Sequence, residues 1–111
     1  MIIARSLSDR LHTQHEAIPE IVSGLDQLRM NKKPSPGKWS IHDNIAHLSL
    51  YQLVFTERVK RILEGSVPSF GRYKADDDPD FPSWLAKTTA ELLREMATDR
   101  KMIVEQLRQN I

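Results

Sequence analysis

Apolar positions recur at helical spacing in three long stretches of this chain, separated by text rich in helix breakers. Ala4, Leu7, Leu11, His15, Ile18, Val22 and Leu25 step by three or four residues, the period of a helix face turned to a core. The pattern predicts a first helix from residue 4 to about residue 30. Pro19 falls inside it, where it removes one backbone hydrogen bond and crowds the preceding turn, so a kink or a break into two shorter helices is expected. Residues 31–39, Asn-Lys-Lys-Pro-Ser-Pro-Gly-Lys-Trp, form a connection. Ser40 followed by Asp43 has the S-x-x-D form of a capping box, in which each side chain satisfies the other residue's backbone N–H. A second helix therefore starts near Ile41, and it stops at Gly65. Its seam is Ile41, Ile45, Leu48, Gln52, Phe55, Val59 and Ile62. Beside the seam runs a mixed stripe of Asp43, His47, Tyr51, Val54 and Arg58, which faces either a polar cavity between helices or water. Trp39, just before the cap, is placed to pack back as a hydrophobic staple. His42, in the first turn, is expected to face solvent.

Residues 65–82 read as a long connection docked on the bundle by Phe70, Tyr73 and Phe81. Its acidic run carries Asp76, Asp78 and Asp80 at alternate positions, as calcium loops do. Phe81 stands where such a loop needs glycine and Lys87 where it needs a bidentate glutamate, so a solvated loop with Asp80 or Ser83 capping the next helix is the reading. The third helix is predicted from about Ser83 to Gln109, with Leu85, Thr89, Leu92, Met96, Ile103 and Leu107 as its seam. Asp99 or Arg100 must fill the layer between Met96 and Ile103. Arg100 either lays its stem on apolar neighbours and sends its guanidinium to the surface, or reaches a carboxylate on another helix.

Three helices, each about 36 Å long at 1.5 Å per residue, define an all-α, up-down bundle in one domain, residues 1–111. An arrangement of three leaves grooves to close, so either the helices close on themselves or a partner chain completes them. The composition, with 40% hydrophobic and 28% charged residues, is that of a folded chain. Sixteen basic against fifteen acidic residues, mixed along the chain, give a net charge of +1 and no one-signed patch for nucleic acid or an anionic membrane. The absence of cysteine excludes disulfides, thiolate metal sites and cysteine nucleophiles. Residues 1–5 lack the apolar region of a signal peptide, and no apolar run approaches the ~18 residues of a membrane span; a cytoplasmic protein is expected.

The segment Pro36-Gly37-Lys38-Trp39-Ser40-Ile41-x-x-Asn44-Ile45-Ala46-His47-Leu48, followed by Arg58, Ile62-Leu63, a proline-containing acidic loop and a helix with Leu92-Leu93 and Arg100, resembles the DinB-like superfamily. Its members are four-helix bundles, many of them assigned as metal-dependent enzymes and related to a thiol-transferase group. The resemblance implies that the metal-ligand histidine of the second helix falls on His47. It implies two further histidines, four residues apart, on a fourth helix. No histidine follows His47 in this sequence, so the chain resembles the bundle without its last helix and carries at most one of three ligands. A lone imidazole neither holds a divalent ion tightly nor tunes its water.

His15, on the edge of the first seam, is a weaker candidate ligand. It would act with His47 and a carboxylate from Glu91, Glu95 or Asp99, while His12 lies three residues from it. No cofactor is expected in a single chain; nickel, zinc or manganese would enter if a site were completed. Serine chemistry lacks its G-x-S-x-G elbow, and the scattered glycines make no phosphate loop. Three readings follow. The chain is a DinB-like domain of unassigned role that buries its open groove as a homodimer; or it is a metal-dependent enzyme, of thiol-transferase or hydrolase type, completed across chains; or it is a fragment that has lost its fourth helix.

Overall fold

The computed structural model describes residues 5–65 and 71–109, apart from the side chains of Leu7 and Ser8. All regular structure among them is helical, in the order α1 (Arg5–Thr13), a 3-10 turn (Gln14–Glu16), α2 (Ala17–Ile21), α3 (Gln27–Asn31), α4 (Ile41–Leu63), a second 3-10 turn (Ala75–Asp77), α5 (Phe81–Leu85) and α6 (Thr89–Gln109). The all-α bundle expected from the periodicity is present, built on three long helical stretches: α1 through α2, α4, and α6. None of these is long and apolar enough to cross a membrane.

The first stretch ends earlier than its apolar pattern. Pro19 lies within α2, and the chain tightens into the 3-10 turn across Gln14–Glu16, where the missing N–H and the proline ring would disturb the α-helical ladder. The break comes at Gly24, whose φ of +86° is the left-handed conformation that glycine adopts freely. Asp26 then caps α3 by accepting the Arg29 N–H at 2.9 Å.

The capping box at α4 is formed. Ser40 Oγ accepts the Asp43 N–H at 3.0 Å and Asp43 Oδ2 accepts the Ser40 N–H at 2.9 Å, with Lys33 Nζ 3.0 Å from the same carboxylate oxygen. Burial alone would raise the Asp43 pKa; the Ser40 backbone bond and Lys33 outweigh it and hold the carboxyl below its ordinary value.

The buried face of α4 is turned by about one residue's rotation, ~100°, from the expected seam. His42, Ile45, Ala46, Ser49, Leu50 and Gln52 are buried, whereas Ile41 and Leu48 remain exposed at 41% and 45% and Ile62 at 51%. Small side chains explain the turn: Ala46 and Ser49 are fully buried, letting α6 come close, and Ser49 Oγ donates to the Leu92 carbonyl at 3.3 Å. Leu92, Met96, Ile103 and Val104 are the buried apolar side of α6. Below Met96 the core joins Ile45, Leu50, Val22, Met30 and Phe81.

The third helix differs from its expected span. It is interrupted at Ala86–Thr88, because Thr88 Oγ1 accepts the Glu91 N–H at 3.1 Å and starts α6 anew. Asp80 stands at the start of α5 without a side-chain cap, and Ser83 Oγ donates to the Asp80 carbonyl at 2.8 Å. Phe81 is buried and Tyr73 half-buried, so these two dock the acidic loop as expected; Phe70 lies outside the described residues.

Candidate functional site

His42 is the first correction to the sequence reading. It is only 5% exposed, and its ring joins three elements. Nε2 donates to the Leu85 carbonyl at 2.9 Å, and Nδ1 stands 2.7 Å from Thr89 Oγ1. The carbonyl can only accept, so in the neutral ring Nε2 carries the hydrogen and Nδ1 accepts the threonine hydroxyl. Gln27 Nε2 donates to the same Thr89 oxygen at 3.0 Å. The chain Gln27, Thr89, His42, Leu85 fastens α3, α6, α4 and the end of α5 together. It is a satisfied structural network, with its polar atoms spent internally.

His47 occupies a different setting. Its ring lies 5.8 Å from that of Tyr73, nearly parallel at 16°, with Trp39 at 5.5 Å and Tyr51 at 6.2 Å. Trp39 also meets Phe81 at 5.5 Å, so the tryptophan before the cap joins the acidic loop to α4. The mixed stripe of α4 is thus the surface on which the loop docks. Arg58 lies 6.0 Å from the Tyr51 ring centre and donates to the Gly71 carbonyl at 3.0 Å. The Tyr73 hydroxyl donates to Asp78 Oδ2 at 3.0 Å; burial and this carboxylate push its pKa well above the usual tyrosine value. The other Asp78 oxygen accepts the Asp80 N–H at 2.9 Å. Nδ1 of His47 is buried without a hydrogen-bond partner.

His15 lines a third environment, a groove of about 500 Å³ between the first helical stretch, α4 and α6. Leu11 and Ile18 form one wall, Leu48, Tyr51 and Phe55 the other, and Met96 and Arg100 close the base beside Gln52. Nδ1 of His15 is buried without a partner, and burial, then the charge of Arg100, lowers its pKa. Arg100 takes neither course expected of it. Its Nε donates to Gln52 Oε1 at 2.9 Å and an Nη to the Leu11 carbonyl at 3.2 Å, so it ties three helical stretches through neutral acceptors. Burial lowers its pKa as well.

The donor set of the described residues does not fit a divalent ion held by one chain. Among the described residues no three His, Cys, Asp or Glu side chains converge as ligands. His47 is ringed by aromatic carbon, and the groove that His15 lines does not include it. Glu91 is exposed. Glu95 and Asp99 line a separate depression with Lys87, Trp84 and Leu53, and Glu95 is bound to Lys87 Nζ at 2.7 Å. Asp99, raised in pKa by burial and then by Glu95, is on that far side of α4 too. Sequence reasoning named His15, His47, Tyr51 and Arg100 but gave Gln52 only a place in an apolar seam. A glutamine in that seam, with Asp99 or Arg100 required to fill a layer of the facing one, was the signal that a polar pair could form there.

The model of the DinB superfamily matches residues 10–110, and the chain belongs to that superfamily. No curated protein and no solved structure matches it.

Proposed function

We propose that this chain is a self-associating DinB-superfamily domain in which a second copy covers the rim of the groove, and that one chain does not hold a catalytic metal by itself. The observation that carries this reading is the stripe Ile41, Leu48, Phe55, Ile62. These residues stand seven apart on α4, and three of the four are 41%, 45% and 51% exposed. A heptad stripe is self-complementary: the same surface on a second copy meets it about a two-fold axis. Leu48 and Phe55 of the stripe also line the groove, so an isologous contact there would roof that part of it. Sedimentation velocity over a micromolar concentration series tests the reading; a dimer is expected and a monomer throughout would remove it.

A second reading is a metal-dependent enzyme, of the thiol-transferase or hydrolase type, with a site completed between chains. The buried, unpartnered Nδ1 of His47 favours it, since a ring nitrogen without a partner is where a ligand from outside the chain would act. Metal analysis of the purified protein separates the two: near-stoichiometric nickel, zinc or manganese supports the enzyme and its absence the simpler domain. The cysteine-free sequence suits a reducing, cytoplasmic setting.

A further inference from the structure

We propose that the base of the groove is a binding site for a small carboxylate with an apolar body, such as an aromatic or medium-chain aliphatic acid. Gln52 is 4% exposed. Its Oε1 accepts the Arg100 Nε at 2.9 Å, which fixes the amide, because the flipped amide would turn its NH2 group against the guanidinium. Nε2 is thereby left as a buried donor with no acceptor. A buried donor without an acceptor is costly to the fold, and Gln52 is one of the residues that line the groove.

Arg100 adds charge to the same place. No carboxylate among the described residues forms an ion pair with it, and its two described bonds go to an amide oxygen and a backbone carbonyl. A half-buried guanidinium without an anion is electrostatically incomplete. His15 Nδ1 is a second unpartnered polar atom among the residues that line the groove. Glu16 is the nearby acid acting on that imidazole, opposed by Arg100, His12 and Lys101, so the local balance is positive.

Acceptor chemistry follows from these donors. A carboxylate offers two coplanar oxygens and no hydrogen, which suits one amide N–H beside one guanidinium fork. A phosphate carries three acceptor oxygens and up to twice the charge, and one cation leaves it undercompensated. The remaining walls, Leu11, Ile18, Leu48, Phe55 and Met96, are apolar, so the body of the ligand must be apolar as well. All donors belong to one chain, and the site therefore does not depend on self-association.

Isothermal titration of the full chain with 3-phenylpropanoate and octanoate, against 3-phenylpropan-1-ol as the uncharged control, tests the proposal. Binding of an acid at least about tenfold tighter than of the alcohol is expected, with a shift of the Gln52 side-chain NH2 resonance. Gln52→Glu gives Arg100 its own carboxylate and repels the ligand. It should keep the thermal midpoint at or above that of the parent while weakening acid binding by at least about tenfold. Lack of binding by both acids, equal binding of acid and alcohol, or unchanged affinity in a folded Gln52→Glu variant would each overturn the proposal. Should that variant not fold, an unmoved Gln52 resonance in the parent chain under saturating acid overturns it as well.

Discussion

Arg100 on α6 and Gln52 on α4 are joined through Nε and Oε1 at 2.9 Å, and Arg100 reaches on to the Leu11 carbonyl of α1. The pair sits in the layer where the seam of α6 lacks an apolar residue, so a polar contact does there what packing does elsewhere. Arg100→Met would leave Gln52 Oε1 without its donor and remove the bond to the Leu11 carbonyl, and we expect a loss of about 1–3 kcal/mol. Arg100→Met combined with Gln52→Leu should cost less than the sum of the single changes, with a coupling of at least about 0.5 kcal/mol. Urea unfolding of the four proteins measures it. Strict additivity would show that the contact contributes nothing.

His42 and Thr89 are the second polar pair across α4 and α6. His42→Ala empties buried space and removes the donor to the Leu85 carbonyl and the acceptor of the Thr89 hydroxyl hydrogen, so we expect about 2–4 kcal/mol of destabilisation. Thr89→Val removes the hydroxyl alone and should cost about 1–2 kcal/mol. Chemical denaturation distinguishes this from a surface histidine, for which either change would be within about 0.5 kcal/mol.

Acid should destabilise the fold in two windows. The pKa of His15 is lowered in the folded state from 6.5, so the unfolded chain binds the proton first. Its contribution is complete above pH 6.5 and is lost as pH falls through the folded value, with a slope of at most about 1.4 kcal/mol per pH unit. His15→Gln should flatten that window. Asp43, lowered from 3.8, contributes above that value and loses its effect only at lower pH; Asp43→Asn should remove this second step. Unfolding free energies across the acid range report both.

His47 packs among Trp39, Tyr51 and Tyr73, and an aromatic of similar breadth should replace it. His47→Phe is expected to cost no more than about 1 kcal/mol, and exhaustive chelation should leave the thermal midpoint of the parent chain unmoved. A midpoint that falls on chelation and returns with zinc or nickel would instead favour a site shared between chains.

Local signals carried much of the fold. The Ser40–Asp43 box, the Gly65 stop and the docking of Tyr73 and Phe81 were legible because each depends on residues close in sequence or on a strong apolar anchor. The rotation of α4 was not. Counting apolar residues put Ile41 and Leu48 inside, whereas closeness of α6 depends on Ala46 and Ser49, which such a count scores as weak or polar. His42 was misplaced for the same reason, since its partners Thr89 and Leu85 are more than forty residues away. The break before α6 could have been read from Thr88-Thr89-Ala90-Glu91, which has the T-x-x-E form of a helix start. For the site, the histidines drew attention through a family resemblance, while the unsatisfied amide of Gln52 is a property of three-dimensional pairing that no spacing reveals.

A second copy of the chain is expected to cover the stripe Ile41, Leu48, Phe55, Ile62. Sedimentation velocity of the parent chain beside Leu48→Glu tests it most directly, because Leu48 is 45% exposed and a charge there should spare the monomer's fold while opposing its own copy across a two-fold axis. We expect a parent species of twice the 12.8 kDa chain mass at micromolar concentration and a folded monomer for Leu48→Glu. A parent chain that stays monomeric, or a Leu48→Glu variant that dimerises as well as the parent, would contradict it.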